Sequence, residues 1–456
     1  MINSFHNFIR PNYKPNYSID NKNNFRLKYI LTYFILLMFI GIACSYEASA
    51  IPAFARKYKT SCMTCHIAVT KRNAFGEAFR RNGYVMPERN ARLIKDPVLP
   101  LGAEAWKGLF PDAIWPSNIP GTLPVAAYTQ MRIDYDFLKP VKGNQTKFTL
   151  PYDIGLLFGG AFGEDIGFFG NYSALNGLYK FFLRFNDIAG PRHWFNIRLG
   201  RFEPGITEGL QTNQLLTLDY AAIHNYAAAG DWTAAASHET IELNGIIKHF
   251  FQYNAGVSNS LNFTLNPSYN KDYYARLGYK IAGYGLDGDG ISTDSTSNNY
   301  WRDDSFTLGL YGYSGNTQKL DQLKNVINNQ FTRFGFDARY KWANLDLFGG
   351  AVMGKDYINF DDSVQIKSNV FFVEADYIFF PWLLGAFRYE NVHSTGYTND
   401  RDKYYNIVPN FTILFRQNVR FTFQGLISNS KNLPPPYSIN NSSLLKWIKF
   451  NTLVAF

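Results

Sequence analysis

From about residue 125 onward, apolar and polar side chains alternate with a period of two, run after run. In Ala127–Phe137 one row carries Ala127, Thr129, Met131, Ile133, Tyr135 and Phe137, and the other carries Tyr128, Gln130, Arg132, Asp134 and Asp136. Successive side chains of a β-strand point to opposite faces, so this run predicts a strand with one apolar and one charged face. Similar runs recur at Ile166–Ala174, Tyr179–Phe185, Trp194–Phe202, Ile241–Phe251, Tyr273–Ile281, Phe306–Tyr313, Phe334–Trp342 and Leu345–Met353. They continue at Val370–Phe379, Leu384–Val392, Ile407–Phe415 and Val419–Ile427, with breaks such as Asp287-Gly288-Asp289-Gly290 and Asn440-Asn441 between runs. In the last run, Leu445–Phe456, one row holds Ile448, Phe450, Thr452, Val454 and Phe456. Runs of about 10 residues with one apolar face suit tilted membrane-crossing strands, whereas soluble sandwich strands are usually shorter. At about 20 residues per strand and turn, residues 125–456 predict a mainly β chain: a transmembrane antiparallel β-barrel of about 16 strands, an even number between roughly 14 and 18.

Composition agrees. Aromatic residues make up 17% of the 456, with 40 Phe and 31 Tyr, while charged residues make up only 18%. Such a balance is unusual for a soluble domain and ordinary for a barrel with aromatic girdles at both bilayer interfaces. A closing strand ending in Phe is characteristic of bacterial outer-membrane barrels, in which no edge may stay unpaired in lipid. No run after residue 50 approaches the roughly 18 apolar residues of a helical span.

Residues 1–50 have the layout of a secretion signal. A basic lead ends at Arg26 and Lys28, an apolar run follows from Tyr29 to Ala43, and Ala48-Ser49-Ala50 gives a small-x-small cleavage site, so the mature chain is expected to start at Ile51. Two rivals stay open: an uncleaved anchor, for which the run is short, and a poor lipoprotein site at Gly41-Ile42-Ala43-Cys44. With Cys44 removed, only Cys62 and Cys65 remain, too few for a disulfide scaffold.

Those two cysteines stand in Cys62-Met63-Thr64-Cys65-His66, the attachment signature of c-type haem. Two thiols three residues apart reach two vinyl groups on one porphyrin edge, and the adjacent histidine reaches the iron. The motif thus predicts one covalent c-type haem, held by Cys62 and Cys65, with His66 as the proximal iron ligand. A structural disulfide or a redox dithiol is the main rival. Zinc lacks its ligands, because residues 51–124 offer no third cysteine and no second histidine. Met86, in Tyr84-Val85-Met86-Pro87, is the best methionine for the distal position. Core packing is its competing role, and a histidine from the body or an open site would serve instead.

A helix is expected over Lys71–Asn82, capped by Thr70, with Phe75 and Phe79 on one face and Gly83 ending it. Arg80 and Arg81 would face haem propionates or solvent. The formal net charge of +9 is uneven: residues 51–124 hold 11 Lys/Arg against 5 Asp/Glu, whereas residues 125–456 hold 29 of each. This sets a basic head, residues 51–95, and a Pro-rich linker, residues 96–124, apart from a neutral body. Either ordinary solvation or docking to an acidic partner accounts for the excess.

The head's residues 52–87 run through Pro-Ala-Phe-Ala-Arg-Lys-Tyr, Ser61-Cys62-Met63-Thr64-Cys65-His66, Ala74-Phe75-Gly76-Glu77-Ala78-Phe79 and Gly83-Tyr84. Joined to a porin-like body, they resemble the fused monohaem cytochrome–porins of the outer membrane, the ferrous-iron oxidase type of iron-oxidising bacteria. The resemblance is specific in the head and rests on architecture in the body. It implies Cys62, Cys65 and His66 as haem residues and a head lodged in or under the barrel, but secures neither Met86 nor the electron donor. Leu199-Gly200-Arg201-Phe202-Glu203-Pro204 is a weaker match to a strand end of anion-selective porins.

The expectation is therefore an exported electron-transfer protein of the bacterial outer membrane. It would contact membrane lipid, take electrons from extracellular Fe(II) or another donor, and pass them to a periplasmic cytochrome. Two alternatives stand beside it: a conduit with a different donor or an outward direction, and a solute-diffusion porin with a structural cysteine pair or a haem outside any relay. Lumen charges at Arg132, Asp134, Asp136, Arg198, Arg339 and Arg388 would guide ions or simply line a polar lumen. His193, His224, His249 and His393 are expected as loop or lumen residues. No hydrolase motif is present, since His238-Glu239 lacks a second histidine, and a modest basic excess on an exported chain gives no support for nucleic acid.

Overall fold

The computed structural model describes residues 53–87, 98–99, 108–113, 119–120, 123–137, 146–208, 215–228, 232–262, 269–291, 300–320, 326–358, 365–396, 399–430 and 444–456. The expected signal segment, residues 88–95 of the expected head and most of the expected linker lie outside them. Within the linker, Val98–Leu99 pairs antiparallel with Ile119–Pro120.

Sixteen long strands close into one antiparallel barrel. In chain order they are β1 Val125–Asp136, β2 Thr146–Phe162, β3 Ile166–Ser173, β4 Gly177–Ala189, β5 Phe195–Phe202, β6 His238–Ile247, β7 Phe251–Asn259 and β8 Lys271–Ile281. The second half is β9 Ser305–Leu320, β10 Val326–Trp342, β11 Leu345–Ile358, β12 Gln365–Phe380, β13 Leu383–Gly396, β14 Asn399–Arg416, β15 Val419–Ser428 and β16 Leu445–Ala455. A two-residue segment, Leu261–Asn262, adds a short parallel pairing to β9. The last strand closes on the first in a continuous register from Trp447 opposite Asp136 to Ala455 opposite Tyr128. Among the described residues no helix is long and apolar enough to cross a membrane; the crossing elements are strands.

The period-two alternation separates the two faces. On β1, Met131 and Tyr135 point outward and are exposed, while Arg132 is buried in the lumen. Outward rows elsewhere expose Leu310, Phe334, Phe336, Phe387 and Phe411. Among the described residues nothing covers them, and a lipid surround does so without desolvating polar groups. At the short-turn end Trp342, Phe380 and Trp382 are exposed, with the Phe380 and Trp382 rings stacked at 5.5 Å, as an interfacial girdle requires.

The lumen is filled from both ends. The connection between β5 and β6 turns inward after Glu203 and includes a short helix, α3 Ala222–Asn225. Its Ile206, Leu215, Ile223, Trp232 and Ala234 pack on wall residues Tyr274, Tyr313, Phe331 and Phe372, forming an apolar core across the barrel. Trp232 sits 4.4 Å from the Tyr313 ring and 4.9 Å from Phe331.

The head enters from the other end, where tight turns such as Ala343-Asn344 and Gln417-Asn418 join the strands. It consists of α1 Ala53–Tyr58, a 3₁₀ turn at Cys62–Thr64, a hairpin pairing His66–Ala68 with Lys71–Arg72, and α2 Ala74–Arg81. The helix expected from Lys71 starts three residues later. Asn73, not Thr70, is its N-cap and accepts from the Gly76 N–H at 2.9 Å, because Lys71 and Arg72 are drawn into the hairpin. Gly83 follows the helix at φ +71°, the left-handed conformation that ends helices.

Head and barrel interlock through polar and apolar contacts. Lys71 reaches two wall carboxylates, Asp346 at 2.6 Å and Asp376. Arg81 donates to Glu208 of the inward connection at 2.8 Å. Arg420 donates to the Val69 carbonyl at 3.0 Å, and Arg56 to the Val125 carbonyl. Tyr84 stacks on Phe169 of β3 at 5.1 Å. Gly167 gives the head room, since a Cβ there would lie 1.9 Å from the Gly83 carbonyl oxygen. Part of the head's basic excess is thus spent on docking, and the acidic partner is the barrel of the same chain.

Candidate functional site

The motif residues sit at a bend held from several sides. Ser61 caps the 3₁₀ turn by accepting from the Met63 N–H at 3.0 Å and donates to Gln417 at 2.9 Å. Asn73 is the central tie: its amide donates to the carbonyls of Met63 and Thr64 at 3.1 Å and of Tyr300 at 3.2 Å, while its oxygen caps α2. Helix α2 lies directly on the motif, since a Cβ on Gly76 would stand 2.1 Å from the Cys65 carbonyl oxygen. Small size at 76 is therefore a steric requirement of the bend.

Cys62, Cys65, His66 and Met86, four positions spread over 25 residues of chain, all line one cavity between the head and the wall formed by β1, β2, β3, β4 and β16. Its free space, open mouth included, is about 1600 Å³. The walls are largely aromatic and aliphatic, with Phe54, Tyr58, Phe79 and Tyr84 from the head and Leu157 and Phe169 from the barrel. Phe54 lies flat on Tyr84 at 5.4 Å and edge-on to Phe79 at 5.0 Å. Met86 is buried in the same aromatic cluster. Arg72, Arg80 and Lys180 supply positive charge at the boundary.

The donor chemistry suits a covalent haem. Neither cysteine is in a disulfide. Burial holds the Cys62 thiol above its usual range and pushes Cys65 up to about 12. Burial, with Arg72 nearby, lowers His66 to about 4, so its imidazole is neutral and able to ligate at ordinary pH. Two thiols, a neutral imidazole and a thioether thus surround one apolar space.

Arg81, expected toward a propionate or solvent, does neither: it bridges to Glu208. Arg80 lines the cavity and also pairs with Glu77 at 3.0 Å. Tyr179, Lys180 and Tyr220 also line the cavity, Lys180 gripping both Glu203 oxygens at 2.6 Å and Tyr179 donating to the Ala235 carbonyl at 2.8 Å. None of these was legible as a site residue, because each comes to the cavity through the inward connection or the barrel wall rather than through a local motif.

No protein-family model matches the chain, and no curated protein matches it. Solved structures similar to it are outer-membrane proteins. OmpT of Vibrio cholerae is 10% identical with a TM-score of 0.49, over 73% of this chain and 99% of that one. The anion-selective porin from Comamonas acidovorans is 12% identical at a TM-score of 0.49, over 73% and 99%. Salmonella typhi OmpF in complex with daunomycin is 12% identical at 0.48, over 73% and 97%. The barrel itself is defined by this chain's own closed strand pairing.

Of the lumen charges expected from sequence, Arg198 pairs with Glu242 at 2.8 Å, Arg339 with Asp346 at 2.6 Å and Arg388 with Glu390 at 2.8 Å. These arginines are buried in mutual ion pairs rather than lining open water. Arg132 stacks on Tyr152 at 3.7 Å. His193 and His249 lie in short turns and His224 on α3, as expected. His393 is a correction: it shares the outward row of β13 with Phe387, because strand parity places every second residue from Phe387 outside.

The bridge from Arg81 to Glu208 carries a pH prediction. Burial pushes Glu208 up, but Arg81 and then Arg276 outweigh it and lower the group from 4.5 to about 2. A lowered carboxylate stabilises the folded state above its unfolded value and loses that contribution as pH falls through its folded value. Head docking is therefore expected to hold above about pH 4.5 and to weaken toward pH 2. In Arg81→Gln, pepsin susceptibility of the head should rise at a higher pH than in the parent. An unchanged acid midpoint would show that the bridge does not hold the head.

Proposed function

We propose that this chain is an outer-membrane electron-transfer protein that carries one c-type haem inside a porin-like barrel, takes electrons from extracellular Fe(II), and delivers them to a periplasmic cytochrome. The observation that carries the proposal is the convergence of Cys62, Cys65, His66 and Met86 on one largely apolar lumen cavity. A closed barrel with an apolar outer belt favours the outer-membrane location. In this reading Cys62 and Cys65 would hold the haem covalently, His66 would ligate its iron, and Met86 is a candidate second ligand. A haem bound there supplies one-electron exchange. The aromatic residues exclude water, and Arg72, Arg80 and Lys180 offset carboxylate charge. Asn73 and Gly76 keep the cysteine bend in place.

A solute-diffusion porin is the second reading, and the barrel alone would suit it equally. It is less well supported by a lumen packed with apolar side chains and paired charges. The decisive experiment is a visible spectrum of the purified full chain, oxidised and then titrated with Fe(II). A c-type band brought up by Fe(II) is expected, and Cys62→Ala/Cys65→Ala should lose covalent haem altogether. A band raised only by dithionite removes the iron donor, and no band leaves the porin.

A further inference from the structure

Beside the candidate cofactor cavity lies a smaller chamber between the end of α2 and the wall strands β4–β7. Arg80 and Tyr84 line both spaces, so the two adjoin. Four guanidinium groups border the chamber: Arg80 and Arg81 from the head, Arg184 from β4 and Arg198 from β5. Its two carboxylates are already engaged. Glu203 is held by Lys180 through both oxygens. Glu242 receives Arg198 at 2.8 Å and the Tyr274 hydroxyl at 2.7 Å, together with amide groups of Asn244 and Asn254. Arg80 pairs with Glu77, and Arg81 with Glu208.

Arg184 is different. It is only 8% exposed, and its Nε donates to the neutral amide oxygen of Asn186 at 2.9 Å. Among the described residues no carboxylate lies within ion-pair distance of it, although every other arginine of the chamber has one. Neighbouring cations aggravate the imbalance. A buried charge left without a counter-charge is among the costliest arrangements a fold can hold. A guanidinium cannot escape by losing its proton, and its planar fork suits the two oxygens of a carboxylate or phosphate. The chamber has room for a few heavy atoms and adjoins a space suited to a ligand with two carboxylates.

We propose that this chamber is an oxyanion site and that Arg184 is its anchoring residue. The shared chemistry is a carboxylate-like or phosphate-like group. One source is a haem propionate, which rests on the function proposed above; the other is a free oxyanion, which does not.

The test uses the full chain in detergent, with and without haem. In the haem-loaded protein, Arg184→Gln should lower the midpoint potential, since a cation that disfavours the oxidised state is gone, and Arg184→Lys should recover most of it; added inorganic phosphate should change neither. In the haem-free Cys62→Ala/Cys65→Ala chain, phosphate should raise the unfolding temperature saturably, and adding Arg184→Gln should weaken its half-saturation at least about tenfold. A potential shift identifies the propionate. A phosphate response dependent on Arg184, without a potential shift, identifies a free oxyanion. An unchanged potential together with phosphate behaviour indifferent to Arg184 overturns the site. If the parent takes up no haem, the proposed function fails while the phosphate arm still decides the chamber.

Discussion

Replacing Lys71 by methionine is expected to loosen the head from the lumen, at a cost of about 3–5 kcal/mol. Lys71 is 1% exposed and answers two wall carboxylates. Asp346 keeps Arg339 when the lysine is lost. Asp376, 2% exposed, loses the one ion pair it makes among the described residues. The penalty is mostly that of an abandoned buried charge, not of a missing attraction, which gives the prediction its control. Removing both partners, as in Lys71→Met/Asp376→Asn, should restore much of the docking, whereas two independent losses would add. The single variant should shift the balance between docked and released head by roughly 10²–10⁴-fold. Protease cleavage between the head and β1, measured on folded protein in detergent, reads that balance directly. Cleavage no faster in the single variant than in the parent would remove Lys71 as a tether of the head.

The barrel was legible because lipid and lumen impose opposite demands on alternate residues. β1 shows this well: each charged position of Tyr128–Asp136 falls on the lumen side. Two strands, β2 and β7, escaped, and each has a physical reason. The lumen row of β2 is Asp153, Gly155, Leu157, Gly159 and Ala161, nearly as apolar as its outer row. That row faces the head and the cavity rather than water, and a Cβ on Gly159 would lie 2.6 Å from the Phe54 ring. β7 merged with β6 because the turn between them places Lys248 and His249 at positive φ, 48° and 66°, with no glycine to mark it. The expected run Ile241–Phe251 ran straight through that turn.

The candidate site divides the same way. Cys62, Cys65 and His66 are legible because the chemistry that needs them is local. The partners that seat them are not. Asp346 and Asp376 lie far along the chain from Lys71, and only barrel closure brings them together. Asparagine is a favoured capping residue, yet only Thr70 was expected to cap the helix, and Asn73 does so. The hairpin decided between them by consuming Lys71 and Arg72.

Reconstituted in a planar bilayer, the wild-type protein is expected to pass little or no steady ion current. An open barrel of this strand number leaves an aqueous channel. Here two independent layers fill the lumen. The inner one is the head, fixed by Lys71, Arg81 and Tyr84. The outer one is the β5–β6 connection, whose Trp232, Ile206 and Ile223 are buried against the wall. The second layer is also tied by polar contacts: Arg388 donates to the Thr217 hydroxyl at 2.8 Å and to the Asp219 carbonyl at 2.9 Å, and Lys449 meets the Asp219 carboxylate at 3.1 Å. Ions crossing such a lumen would have to displace packed apolar groups and break buried ion pairs, neither of which bulk solvent repays. Because the layers are separate, Lys71→Met alone should produce at most brief openings. Combining it with Trp232→Ala, which removes a large buried side chain from the outer layer, should turn these into sustained current. Steady ohmic current in the wild type, unaffected by either change, would return the protein to the solute-diffusion porins. A closed wild type that opens only when both layers are weakened shows a lumen plugged twice over, which removes the solute-diffusion reading.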